Sequence, residues 1–375
     1  MLKHWQLYFS EVIKGKRRGK RIKVLQSFLK LLSWPFAGAV KLRNWAYDSD
    51  YLRGHAPSHP VIISVGNIVA GGTGKTPITQ MLARALSDYA RVAILSRGYH
   101  SPAEHSVEPL VLSEGKGPLY PPTECGDEPY MLSKQLPHIG VFVGRDRRRA
   151  AAMAADSGAQ VIIVDDGMQH RRLSRDYDVV VVNANDPFGQ GHFLPRGFLR
   201  DSPRSLSRAH LLIINHIRDT QHYEEIKALV DPYSKAPTIG TRLEVRQVLD
   251  MDSQPISDLK DKQVGIFCGI AHPEHFLQTV SQLGAQTVTE CVLPDHHSVS
   301  AEELIAFAKE SKARGAQMLL CTEKDYVKLA HDLKLDLPVG WVQMQLNIVA
   351  DEAHWKEFID KAHRCVNNAG FCCEL

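Results

Sequence analysis

The chain has 375 residues, a formal net charge of +3 and 44% hydrophobic residues, enough to bury a sizeable core in one or two domains. That composition excludes a disordered chain, and the small net charge means that any charged partner must be read from how the charge is distributed. Seven cysteines at irregular spacings form neither a disulfide framework nor a metal-type ligand set, which fits a reduced, cytosolic core.

Positive charge is concentrated near the start. Lys14, Lys16, Arg17, Arg18, Lys20, Arg21 and Lys23 form a basic run, and an apolar, aromatic stretch follows at 24–45. The stretch has no small-residue cleavage site, so it does not read as a secretory signal. Its most apolar part, 31–40, is interrupted by Ser33 and Pro35 and flanked by Lys30 and Lys41. A spanning helix needs about 20 apolar residues, whereas runs of roughly 10–14 suit interfacial segments. Trp34, Phe36 and Trp45 suit the headgroup boundary, and the basic run suits anionic lipid. These features predict a basic extension over 1–23 and a membrane-associated helix over 24–50. A core helix with a solvated basic tail is the alternative. Nucleic acid is not expected as a partner, because no base-stacking surface accompanies the basic run.

From Pro60 onward, strand and helix patterns alternate. Short, β-branched apolar runs at 61–65, 92–95, 141–143, 161–164, 179–182 and 211–214 read as buried parallel strands, with helical segments at 77–86, 128–135 and 147–155 between them. The pattern predicts a P-loop NTPase-like, doubly wound parallel α/β sheet. A composition shift near Asp231-Pro232-Tyr233-Ser234 divides a first domain over 51–232 from a second, smaller α/β lobe over 233–375. Candidate elements of that lobe lie at 264–268, 275–283, 286–292, 301–312 and 318–321.

The first strand runs into Ala70-Gly71-Gly72-Thr73-Gly74-Lys75-Thr76 and then a helix. Strand, glycine-rich loop, Lys-Thr and helix make a phosphate-binding loop. Its backbone N–H groups and the helix N-terminus would surround phosphate oxygens, Lys75 would reach the β- and γ-phosphates, and the Thr76 hydroxyl would ligate Mg²⁺. One position departs from the usual spacing: Val69 stands where a glycine is expected, and Gly66 lies further back. The bend is therefore expected to begin earlier.

Three acidic or imidazole motifs accompany this loop. Strand 161–164 ends in Asp165-Asp166, the form of a carboxylate facing a phosphate-bound metal, and continues as Gly167-Met168-Gln169-His170. Asp127 and Glu128 open a helical run; they either complement the helix dipole or act as general base and metal-region acid. His296 and His297 follow Asp295 and could polarise a catalytic acid. Gly144-Arg145-Asp146-Arg147, Leu194 to Asp201 with Arg200, and Thr322-Glu323-Lys324-Asp325 carry groups suited to phosphate or sugar. A GTPase switch would need Asn-Lys-x-Asp after a strand, and Asn215-His216-Ile217-Arg218 lacks its Lys and Asp.

In their order, these motifs resemble the tetraacyldisaccharide 4′-kinases, or lipid A 4′-kinases. The resemblance runs through Ser64-Val65-Gly66-Asn67, the phosphate loop, Ser96-Arg97-Gly98-Tyr99, Gly126 to Pro129, Asp165 to His170, Leu194 to Arg200, Cys268 to Ala271, Asp295 to His297 and Thr322 to Asp325. It covers the chain from about Leu31 to the tail. It implies a kinase that transfers the γ-phosphate of ATP, with Mg²⁺, to the 4′-hydroxyl of an acylated glucosamine disaccharide. The reaction would take place at the cytoplasmic face of the inner membrane, with anionic lipid as a contact surface. By the same resemblance Asp127 corresponds to the base and His296 to its assistant, while Glu128, Asp165 and Asp166 belong to the metal and phosphate region. Gln169, His170, Arg200, Asp201 and His297 are further active-site candidates. One departure is that the Arg200 loop ends in Asp201 where such proteins carry Glu, a shorter side chain whose contact is expected through water or not at all.

Overall fold

The structure is a computed structural model and describes residue 8 and residues 11–57, 60–270, 273–293, 299–329 and 333–371. Contacts within the chain divide it into two compact units, Met1–Arg242 with Leu346–Leu375, and Leu243–Gln345.

The first unit is built on β1 (Val61–Gly66), β2 (Val92–Ser96), β3 (Leu110–Glu114), β4 (Gly140–Val143), β5 (Val161–Asp165), β6 (Tyr177–Asn183), β7 (Leu211–Asn215) and the start of β8 (Thr238–Asp250). Their spatial order is β8-β7-β6-β1-β5-β2-β4-β3. β1 pairs in parallel with β5 and β6, and β7 with β6 and β8; the edge strand β3 runs antiparallel to β4. The longer helices are α1 (Lys20–Asp48), α2 (Lys75–Ser87), α3 (Asp127–Gln135), α4 (Arg147–Asp156) and α5 (Thr220–Val230), with α6 (Pro273–Gln282) and α7 (Ala301–Ala313) in the second unit, and finally α8 (Glu352–Phe371).

In the first unit both faces of the sheet are covered, which is why its central strands read as unbroken apolar runs rather than alternating ones. Ile63, Val65, Ile163, Val179 and Val181 face Ile78 and Leu82 of α2, Leu132 of α3 and Trp355, Phe358 and Ile359 of α8. Their neighbours point the other way: Ile62, Ile162 and Val164 meet the alanines of α4, while Val180, Val182, Leu212 and Ile214 meet Tyr223, Ile226 and Val230 of α5. The fold is the expected doubly wound α/β arrangement.

The division of the chain differs from the sequence expectation. The boundary falls after Arg242 rather than at 232/233, and Leu346–Leu375 belongs to the first unit. The reason is apolar: Trp355, Phe358, Ile359, Ala362 and Val366 of α8 complete the core over β1 and β6. Strands β8 and β12 (Val339–Ala350) are absent from the expected elements because charged and amide residues such as Arg242, Glu244, Gln343 and Asn347 interrupt their apolar patterns. Within the second unit the strands run in the order β10-β9-β11-β12, paired in parallel, where β9 is Gln263–Cys268, β10 Gln286–Val292 and β11 Met318–Thr322.

α1 runs unbroken through Pro35, so Ser33 and Pro35 interrupt the apolar run without ending the helix. Proline removes one i→i−4 bond, and Ser33 lies on the face the helix buries. Its Oγ is 3.0 Å from Leu29 O and 2.9 Å from Phe193 O, and it accepts from Arg196 N at 3.1 Å. Leu29, Ser33 and Val40 form the buried stripe, whereas Val24, Phe28, Leu31, Trp34, Leu42 and Trp45 are exposed. Among the described residues no helix is long and apolar enough to cross a membrane.

Candidate active site

The phosphate loop joins β1 to α2. Gly74 caps α2 in the left-handed region, at φ 80, and the space a β-carbon would need there is occupied by the Asn215 amide. Glycine is therefore required both by backbone and by packing. Thr73 is buried; its Oγ1 accepts from Asn67 Nδ2 at 2.7 Å and its carbonyl from Asn215 Nδ2 at 3.1 Å. β1 continues to Gly66, and the chain leaves the strand before Val69. At the departing position, Val69 is buried and bridges Leu199 antiparallel, and Ala70 N donates to Phe198 O at 2.7 Å. The loop has exchanged a glycine for a hydrogen-bonded tie to the segment that carries Arg200.

The carboxylates at the end of β5 divide into two environments. Asp165 is buried and accepts from Thr79 Oγ1 at 3.1 Å. Burial, then the negative charges of Glu128 and Asp166, push its carboxyl up to about 6, against the opposing pull of Lys75 and Thr79. Asp166 is the reverse case. Burial would raise it, but the Arg200 fork and the Lys75 charge together hold it well below the usual carboxylate range. Arg200 donates to both of its oxygens, at 2.9 and 2.7 Å, and Lys75 Nζ lies 3.4 Å from Oδ1. Arg200 also donates to Asn67 Oδ1, and Gln169 Nε2 donates to Asn67 O at 2.7 Å. Asn67 thus links the phosphate loop, the β5 loop and the Arg200 loop; its placement in the Ser64-Val65-Gly66-Asn67 motif was the only sequence signal of that role.

Asp127 and Glu128 form the first turn of α3, both half-buried. That turn is seated against the loop after β2: a β-carbon on Gly126 would meet Gly98 Cα at 3.4 Å. α3 is in turn bound to the phosphate-loop helix by a Gln80–Gln135 side-chain hydrogen bond and by Leu132 in the shared core. The charge of Glu128 acts on Asp165, so the two acid motifs lie at one end of one sheet. Thr76 is half-buried at the second position of α2. His296 and His297 lie outside the described residues.

Two expectations need correction. Asp201 does not act through water or lose its contact. It is fully buried and accepts from Asn44 Nδ2 at 2.8 Å, Arg43 Nη2 at 3.3 Å, Arg208 Nη2 at 3.1 Å, Ser205 Oγ at 2.8 Å and its neighbour Ser202 N at 2.8 Å. Its role is to clamp α1 to the Arg200 loop. Arg147, one of the basic groups suited to phosphate, is instead buried and donates to the carbonyls of Gly144 and Asp165 at 2.5 and 3.3 Å.

A cavity of about 400 Å³ opens beside this cluster. Phe36, Val40 and Leu194 give it an apolar wall, and Asp166, His170 and Arg200 a polar one. Burial and the charges of Arg147 and Arg97 depress His170 to about 4, so its imidazole is neutral near pH 7. A larger basic cavity of about 720 Å³ adjoins His170 and is walled by Arg43, Arg145, Arg148, Arg171 and Arg172.

Among the described residues no three His, Cys, Asp or Glu side chains converge as a protein-only cage for a metal ion. Asp165, Asp166 and Glu128 nevertheless crowd negative charge at one point, with Lys75 opposing it. That suits Mg²⁺, which takes one or two carboxylates and completes its shell with phosphate and water.

The family model for tetraacyldisaccharide-1-P 4′-kinase, LpxK, matches residues 25–364. The chain belongs to this family. It is 39% identical over 309 residues to the tetraacyldisaccharide 4′-kinase of Anaeromyxobacter dehalogenans strain 2CP-C, covering 80% of each chain. It is 36% identical over 350 residues to that of Chlamydia abortus, covering 91% of each. A crystal structure of LpxK from Aquifex aeolicus in complex with ATP superposes with a TM-score of 0.72 at 29% identity, over 90% of this chain and 99% of that one. The protein is therefore a kinase that phosphorylates the 4′-hydroxyl of a tetraacylated disaccharide 1-phosphate in lipid A synthesis.

Proposed function

We propose that this kinase draws its phosphate from ATP held with Mg²⁺ and meets its lipid acceptor at the cytoplasmic face of the inner membrane, with α1 lying on anionic lipid. The observation that carries the reading is the cavity shared by the inner face of α1 and the Asp166–Arg200 pair. It offers apolar wall to a lipid and polar wall to a sugar, beside the phosphate loop. The exposed apolar face of α1 and the basic run before it support contact with the bilayer. An acylated sugar leaves the bilayer reluctantly, at about 0.8 kcal/mol per buried CH₂, so the enzyme must come to it.

In this reading the backbone N–H groups of Gly72 to Lys75 hold the β-phosphate, and Lys75 contacts the γ-phosphate. Thr76 and Asp165, with Glu128 nearby, hold Mg²⁺, which neutralises charge on the phosphates when bound. Asp127 takes the proton of the 4′-hydroxyl. Asp166 is kept ionised by Arg200 and orients Lys75. The basic cavity suits the acceptor's 1-phosphate, since arginine forks match phosphate oxygens. Incubation with labelled ATP, Mg²⁺ and tetraacylated disaccharide 1-phosphate in detergent, followed by lipid chromatography, tests the reading. Label should appear in the lipid only when metal is present. Transfer that persists in EDTA would rule out the metal, and no transfer would rule out ATP as donor.

A further inference from the structure

We propose that Ser33 of α1 is a positioning residue for the transfer step, acting through Arg200; the assignment deepens the reading above and rests on it. Ser33 stands in the buried stripe of α1 and is 5% exposed. The single proton of its hydroxyl is shared between Phe193 O at 2.9 Å and Leu29 O, one helical turn back, at 3.0 Å. The same oxygen accepts from Arg196 N at 3.1 Å. One small side chain on the helix therefore holds both ends of the turn from Phe193 to Arg196, and the Phe36 and Phe193 rings meet beside it, 6.2 Å apart.

That turn is coupled to Arg200 by a closed set of backbone bonds. Leu194 N donates to Leu199 O at 3.1 Å, Leu199 N to His192 O at 3.0 Å and Phe198 N to Gly189 O at 2.8 Å. Gly197 leaves no slack, since a β-carbon there would collide with the carbonyls of His192 and Gly189. The far edge of the segment is tied to the phosphate loop: Ala70 N donates to Phe198 O at 2.7 Å, and Arg200 N and Asp201 N donate to Ile68 O at 2.8 and 3.1 Å. Residues 192–201 thus form a strap between α1 and the phosphate loop, and Arg200 reaches from it to Asp166. α1 grips the strap at Ser33 and again through Asn44 on Asp201, about 16 Å further along the helix. The two grips bracket Arg200 in sequence.

The hydroxyl is not needed to satisfy its partners in the turn. Phe193 O also accepts from Arg196 N and Gly197 N, both at 3.0 Å. Losing the hydroxyl strands neither group, so the cost falls on the placement of the strap rather than on the stability of the fold. Ser33 also lines a cavity of about 340 Å³ beside Trp34 and Phe188, which gives an added methyl group room.

Steady-state transfer kinetics with ATP, Mg²⁺ and tetraacylated disaccharide 1-phosphate in detergent, together with denaturant unfolding, test the assignment. The proteins compared are the unaltered chain, Ser33→Ala, Ser33→Thr, Arg200→Ala and the double variant Ser33→Ala with Arg200→Ala. Ser33→Ala should lower kcat by about 10- to 10²-fold, the scale of a small misplacement at a reacting centre, with KM for ATP and the unfolding midpoint close to the unaltered values. Ser33→Thr keeps the hydroxyl and should recover most of the loss. In the Arg200→Ala background, Ser33→Ala should change kcat by less than about two-fold, because the route through which it acts is already cut. Normal kcat in Ser33→Ala, a loss of kcat that tracks a lowered unfolding midpoint, or the same loss with and without Arg200 would overturn the assignment. Normal kcat in Arg200→Ala would overturn the reading of the Asp166–Arg200 pair itself, and this one with it.

Discussion

Arg200 holds Asp166 by both terminal nitrogens, at 2.9 and 2.7 Å, while Asp166 sits in the left-handed region at φ 52 and reaches Lys75 at 3.4 Å. The fork fixes the carboxylate in one plane, which a lysine ammonium cannot do. Arg200→Lys should therefore lower turnover on the order of 10²-fold, the usual cost of removing one preorganised polar contact at a reacting centre. Steady-state kinetics with saturating acceptor would check this. Near-normal turnover would mean that the pair only stabilises the fold.

Asp127→Ala should reduce turnover by about 10²–10⁴-fold, the range for a positioned general base. ADP affinity should stay within about two-fold, because the phosphate loop is untouched. Lys75→Ala should reduce both. Equal, mild losses in the two variants would contradict the division of roles.

The Asp201 clamp makes a stability prediction. Removing a buried carboxylate from its guanidinium partners typically costs about 3–5 kcal/mol, since charge remains without a partner. Asp201→Ala should unfold at distinctly lower denaturant concentration, and Arg43→Ala should cost less because Arg43 is partly exposed. Denaturant titration followed by circular dichroism distinguishes them.

The same clamp determines how membrane attachment should be tested. Deleting residues before Asp50 would remove Arg43 and Asn44 from Asp201 and damage the site directly. Substitutions on the exposed face avoid this: Trp34→Glu with Leu42→Glu should cut activity about ten-fold on vesicle-borne acceptor and leave it unchanged on acceptor in detergent. Equal activity in both settings would deny α1 a role at the bilayer.

Asp165 should give the metal-free protein a pH signature. Its folded value, about 6, lies above the ordinary 3.8. The stability it contributes is thus fully present below about 3.8 and is lost as pH rises through about 6. Thermal unfolding in EDTA should show this fall, and Asp165→Asn should flatten it.

The local chemistry was written in the chain. Gly71 to Thr76 after an apolar strand reads as a phosphate loop, the paired acids after 161–164 as the metal side proposed for it, and the aromatics of 24–45 as suited to a headgroup boundary. These features depend on neighbours in sequence, where spacing alone fixes which groups meet. The doubly wound sheet was legible for the same reason: strands buried on both faces leave unbroken apolar runs.

Other features depend on residues far apart in the chain. Nothing near Val69 announces that Leu199 takes over its backbone, nothing near Asp201 announces Arg43 and Asn44, and nothing in α8 announces that it completes the first unit's core. The strand order that puts Asn215 on the phosphate loop is likewise invisible to periodicity. Sequence determined the kinds of groups available and their local elements. Tertiary packing decided which of them share a site, because burial forces distant donors and acceptors to satisfy one another.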